Sequence, residues 1–161
     1  MSKKNALLVG VSEYASGLTS LPGASRDVDA IQRILDDPEM GAFDQTKALK
    51  NPDRQTIEQA IEALFSELDR DDLGLLYFSG HSIKDDTGNL YLATPNTQKN
   101  TSGKLIITTA VAASAIHTIM NRSHSKRQVV ILDCCFSGAF AEGMRAKDDG
   151  FFYFPLSSVL K

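Results

Sequence analysis

Apolar residues along this chain keep two rhythms. Unbroken apolar runs at Asn5 to Val11, Leu73 to Phe78 and Val129 to Leu132 read as strands covered on both faces. Between them the spacing becomes helical. Asp27 to Leu35 carries Val28, Ile31, Ile34 and Leu35 at helical intervals, and Pro38 ends it. Thr56 to Leu68 puts Ile57, Ile61, Leu64, Phe65 and Leu68 on one face. Ala110 to Met120 predicts a further helix, with Thr108 or Thr109 as its cap. Thr46 to Leu49 suits a short strand. Asp85-Asp86-Thr87-Gly88, between Ile83 and the alternating Asn89-Leu90-Tyr91-Leu92, predicts a hairpin turn.

Strand and helix alternate, with polar chemistry collected where strands stop. That order predicts an α/β protein: a three-layer α/β/α sandwich with a mostly parallel central sheet. Ligands of such folds bind beyond the carboxyl ends of the strands. A length of 161 residues, 42% of them hydrophobic, is enough for one domain with one real core. There is no internal repeat and no low-complexity tract.

Composition narrows the partners. A net charge of -3 and the lack of any basic block argue against nucleic acid. No apolar run approaches the roughly 18 residues of a membrane span, and Met1-Ser2-Lys3-Lys4 leads straight into a strand without a secretory signal. The only cysteines, Cys134 and Cys135, are adjacent. Neighbouring Cα atoms about 3.8 Å apart do not suit ordinary disulfide geometry. A soluble, reducing, cytoplasmic setting is expected.

Two strand ends carry reactive groups. Tyr77-Phe78-Ser79-Gly80-His81 ends in an imidazole, and Leu132-Asp133-Cys134-Cys135-Phe136-Ser137-Gly138 offers thiols. A thiol near its ordinary pKa of about 8.5 is mostly protonated at neutral pH, so a nucleophilic cysteine needs a base beside it. The tetrahedral oxyanion that follows needs preorganised N–H donors, and Gly80 and Gly138 let the backbone bend there. Taken singly, a cysteine after Val-Val-Ile-Leu can be a buried hydrophobe, and a histidine at a strand end can be structural. The flanking glycines, which expose the side chains between them, bring the enzymatic reading level with the structural one.

Asn5 to Gly10, Gly23 to Ala30 (GASRDVDA), Tyr77 to His81 and Asp133 to Gly138 together resemble the caspase-like cysteine peptidases, and among them metacaspases and their bacterial relatives. They resemble, in order, the first core strand, the loop and helix start, the histidine motif and the D-x-C-x-S-G pattern. The resemblance implies Cys135, not Cys134, as nucleophile and His81 as general base. It implies the backbone N–H groups of Cys135 and Ser82 as oxyanion donors. The family usually has glycine after the histidine; Ser82 still offers an N–H, but its β-carbon resists positive φ.

Specificity also follows from the resemblance. The arginine that caspases would carry four residues before Asp27 is Gly23 here, while both metacaspase carboxylates, Asp27 and Asp133, are present. A carboxylate pair favours a cationic guest, so cleavage of protein substrates after Arg or Lys is expected. Asp27 as a mere helix cap is the alternative. Where many metacaspases have an acidic pair before the helix preceding the cysteine strand, this chain has Thr108-Thr109. Glu142 alone does not make a calcium site of six oxygens, and Asp85 and Asp86 read as turn residues. No cofactor is expected; activation by calcium stays open but is not favoured.

The resemblance treats residues 1–161 as the large, catalytic subdomain. It implies a small C-terminal subdomain or subunit, missing or separate, as a partner. Maturation by proteolysis is expected, with Lys161, the last residue, or Arg145 and Lys147 in a polar segment as processing positions. The cluster Phe151-Phe152-Tyr153-Phe154-Pro155 needs cover. Two other functions remain open: a catalytically inactive caspase-like interaction scaffold, and a flavodoxin-like domain with a small ligand at the strand ends. The lack of a Gly-rich phosphate loop argues against nucleotides.

Overall fold

The computed structural model describes residues 1–15 and 17–134, together with the backbone of residues 151–155. In chain order its elements are β1 (Lys4–Gly10), α1 (Pro22–Asp36), β2 (Gln45–Lys50), α2 (Arg54–Ser66), β3 (Leu73–Ser79), β4 (Ser82–Lys84), β5 (Leu90–Ala93), β6 (Ala110–Ala112), α3 (Ala113–Arg122), β7 (Arg127–Asp133) and β8 (Phe151–Pro155). A 3-10 turn at Ile107–Thr109 precedes β6. The main sheet has the order β2-β1-β3-β7-β8, and every pairing in it is parallel. A second sheet, β4-β5-β6, is antiparallel.

The unbroken apolar runs are explained by cover on both faces of the main sheet. Ala6, Leu8, Leu75 and Tyr77 meet Val28 and Leu35 of α1 on one side. Leu7, Val9, Leu76, Phe78, Val130 and Leu132 meet Ile57, Ile61 and Phe65 of α2 and Ile116 and Met120 of α3 on the other. Each fully buried side chain of this kind contributes about 1.5–3 kcal/mol. The result is the three-layer sandwich that the alternation predicts.

Sheet order decides where a site can form. From β1 the chain goes to one edge, β2, and then crosses to β3 on the opposite flank of β1. The connections therefore part above the β1 and β3 carboxyl ends and leave a crevice there. His81 lies just past β3, and Asp133 is the last residue of β7.

Two local expectations are corrected. Helix α1 begins at Pro22, with the ring in the first turn where no N–H is needed. Asp27 therefore lies inside the helix, and the reading of it as a cap fails. The predicted helix from Ala110 starts only at Ala113, because Ala110–Ala112 pair with Tyr91–Ala93 as strand β6. Ala110 and Val111 bury themselves by that pairing, so tertiary contact overrides local helical preference. Thr109 does not cap α3. Its hydroxyl donates to the Ile106 carbonyl at 2.7 Å and accepts the Gln98 N–H at 3.0 Å, closing the loop before β6.

The hairpin at Asp85 to Gly88 forms as read. The Asp85 carboxylate accepts from the Thr87 and Asn89 N–H groups at 3.0 and 2.9 Å, and from the Thr87 hydroxyl at 2.8 Å. Asp86 lies 3.4 Å from Lys104. The Phe151–Pro155 segment joins the main sheet beside β7. Among the described residues, no helix is long and apolar enough to cross a membrane.

Candidate active site

Three strand ends meet at the crevice: β1 leaves through Val11 to Tyr14, β3 through Gly80 and His81, and β7 through Asp133 and Cys134. The His81 imidazole is half-buried, and its Nε2 lies 2.7 Å from the Thr19 carbonyl oxygen. A carbonyl can only accept, so Nε2 carries the proton and the neutral ring keeps its lone pair on Nδ1. On another side the ring meets that of Tyr14, with centroids 4.8 Å apart and planes tilted by 57°. The His81 N–H donates to the Tyr14 hydroxyl at 2.8 Å.

Ser82 opens β4 without strain. Among the described non-glycine residues only Ala42 and Asn51 have positive φ, so serine fits at position 82 without needing the freedom of a glycine. The Ala93 N–H donates to the His81 carbonyl at 2.9 Å, which makes Ser82 and Leu92 a non-hydrogen-bonded pair in the ladder. The Ser82 N–H is therefore turned away from β5.

Asp27 and Asp133, far apart in sequence, meet. Asp133 pairs in register with Ser79 across β3 and β7. Alternation along the strands puts both on the same face as Tyr77 and Ile131, beneath α1. There Asp133 lies near enough to Asp27 for the two carboxyls to interact. Burial raises the pKa of Asp133 above the usual carboxylate range, and the interaction with Asp27 raises it further. The Tyr77 hydroxyl is also pushed up, by burial first and then by Asp133, while a bond to Ser79 acts the other way.

Cys134 is buried with Leu132, Phe78 and Val11 on the α2–α3 side of the sheet, as a packing residue would be. Cys135, together with Glu142, Arg145, Lys147 and Lys161, lies outside the described residues.

Sequence reasoning overlooked Tyr14, Thr19 and Asn51. Thr19 acts through its carbonyl, which any residue type supplies, so no signal marks it. Asn51 precedes a proline at the end of β2, a turn signal that could have been read. Tyr14 is an aromatic residue in a polar loop, and only its contacts show what it does.

Residues 3–152 match the family model described as caspase domain. The fold is similar to that in the crystal structure of protein GSU0716 from Geobacter sulfurreducens, with a TM-score of 0.64 and 16% sequence identity. That match takes in 96% of this chain and 58% of the other, so this chain spans less than two thirds of that protein. Comparison with curated proteins returned no match.

Proposed function

Because this chain belongs to the caspase domain family, we propose that it is a cysteine endopeptidase cleaving proteins after Arg or Lys. The observation that supports this specificity is the proximity of Asp27 and Asp133, whose interaction raises the Asp133 pKa. A guanidinium or ammonium group at P1 would sit between these carboxylates with charge-assisted hydrogen bonds. An acidic P1 residue would meet like charge.

The chemistry divides among few groups. His81, held by Thr19 through Nε2, takes the Cys135 thiol proton on Nδ1. The thiolate attacks the scissile carbonyl carbon, and the carbonyl electron pair moves to oxygen. The N–H groups of Ser82 and Cys135 receive that oxyanion. The intermediate collapses as the C–N bond breaks, and the imidazolium gives its proton to the leaving amine. Water, deprotonated by the same imidazole, then hydrolyses the thioester and frees the thiol.

Cleavage at Arg145 or Lys147 would be self-processing of the same specificity, and a small C-terminal subdomain would complete the substrate cleft. With Thr108-Thr109 in place of an acidic pair, turnover is expected to be insensitive to calcium chelation.

An Arg-based acyloxymethyl ketone tests this reading. It is expected to add its mass to Cys135, and fluorogenic peptides with Arg or Lys at P1 should turn over while Asp peptides do not. No labelling, with no turnover of any peptide, would instead favour the interaction scaffold. In a longer chain, processing that continues unchanged in Cys135→Ala would exclude self-cleavage.

A further inference from the structure

The ladder between β1 and β3 continues past the strands themselves. The Val11 N–H donates to the Ser79 carbonyl at 2.9 Å, the bond that closes the pair Gly10 and Ser79. In a parallel ladder the next rung would run from the His81 N–H to the Val11 carbonyl. Here the Tyr14 hydroxyl stands inside that rung. It accepts from the His81 N–H at 2.8 Å and donates to the Val11 carbonyl at 2.8 Å. One bond has become two, so β3 must part from β1 at His81.

Gly80 makes room for the wedge. A β-carbon there would lie 2.8 Å from the Tyr14 hydroxyl oxygen and 3.0 Å from the Phe78 ring. Gly80 is not among the positive-φ glycines, so close approach, rather than an unusual bend, is what demands glycine. Its N–H still reaches the Asp133 carbonyl at 3.3 Å. The strand end is thus held to β7 while it is prised from β1. Beyond it the imidazole lies between the Tyr14 ring and the Thr19 carbonyl. Burial pushes the Tyr14 pKa up to about 12, so the hydroxyl keeps its proton at neutral pH.

We propose that Tyr14 is the positioning residue of His81: its hydroxyl, wedged into the β1–β3 ladder, turns the strand end outward, and its ring sets the imidazole so that Nε2 meets Thr19 and Nδ1 is left as the base. This assignment rests on His81 being the general base of the peptidase proposed above. Tyr14 acts through the histidine.

Histidine-selective ¹⁵N labelling reads the ring directly, because the chain has three histidines, His81, His117 and His124. In the unaltered protein at mildly alkaline pH, His81 is expected as the Nε2–H tautomer. In Tyr14→Phe, which keeps the ring but removes the hydroxyl, His81 should become a mixture of tautomers while His117 and His124 hold their signals. With a P1-Arg peptide, kcat should fall about 10- to 100-fold at nearly constant KM, the signature of a misplaced base. Should Tyr14→Phe fail to fold, Gly80→Ala drives a methyl group into the same hydroxyl and must alter the His81 signals likewise. A wild-type His81 pattern in the folded variant overturns the proposal, whatever the activity. A wild-type protein that neither cleaves peptides nor takes the inhibitor sinks the peptidase reading, and the tautomer comparison still decides whether Tyr14 sets the ring.

Discussion

The Asn51 side-chain oxygen accepts the Ser12 N–H at 2.9 Å and thereby ties the end of β2 to the exit of β1. It accepts the Glu13 N–H as well, at 3.1 Å. Asn51 itself adopts a left-handed conformation with φ 53°, and its N–H donates to the Gly10 carbonyl at 2.8 Å. This clamp starts the loop that carries Tyr14 and Thr19 to the imidazole.

Asn51→Ala leaves two backbone donors without their acceptor and strains a positive φ. Urea unfolding should show a loss of about 1–3 kcal/mol. Asn51→Gly relieves the strain but not the lost bonds, so it should recover only part of the stability. Equal stabilities for the two glycine and alanine variants would mean that backbone conformation contributes nothing there.

Helix α1 packs closely on β1 at Gly10, where an added β-carbon would lie 2.7 Å from Val28 Cγ2 and 3.0 Å from the Ala24 carbonyl oxygen. Backbone cannot yield as a side-chain tip can. Gly10→Ala is therefore expected to lift the helix and cost about 1–3 kcal/mol. Because the same helix carries Asp27, turnover of P1-Arg peptides should suffer through KM, which a concentration series measures.

Asp133 and Asp85 should titrate with opposite effects on stability. The native pKa of Asp133 is raised, by burial and then by Asp27, so the folded state holds its proton more tightly than the unfolded chain. Its contribution is fully present below the unfolded value of about 3.9 and is lost as pH rises through the native value. Asp133→Asn should gain melting temperature relative to wild type as pH rises. Asp85 is lowered, first by the Thr87 side-chain bond. Its contribution is present above about pH 3.9 and is lost as pH falls through the native value. Asp85→Asn should trail wild type near neutrality and draw level in acid. Thermal melts from about pH 3 to pH 8 would reveal either sign if wrong.

Neutralising the pocket should change what is cut. Asp27→Asn and Asp133→Asn are each expected to lower kcat/KM for P1-Arg peptides by about 10- to 100-fold, the value of a charge-assisted hydrogen bond. A peptide with an uncharged P1 side chain should be much less affected. Parallel losses on both peptides would show that these carboxylates hold the site together rather than select the substrate.

Local pattern alone determined which segments become strands and helices wherever burial matches period: the apolar runs of β1, β3 and β7, the stripe of α2, and the hairpin at Asp85. It also marked His81 and Asp133 as strand-end groups, since the chain changes character beside them. Partner choice was not written locally. Ala110 to Ala112 became a strand because β5 offered an open edge, and Asp27 met Asp133 only because β3 and β7 align in register beneath α1. The anchoring of His81 by Tyr14 and Thr19 joins two separate loops. Periodicity records which side of an element is apolar, whereas hydrogen bonds between remote strand ends depend on how the sheet is ordered. That ordering is a property of the folded chain.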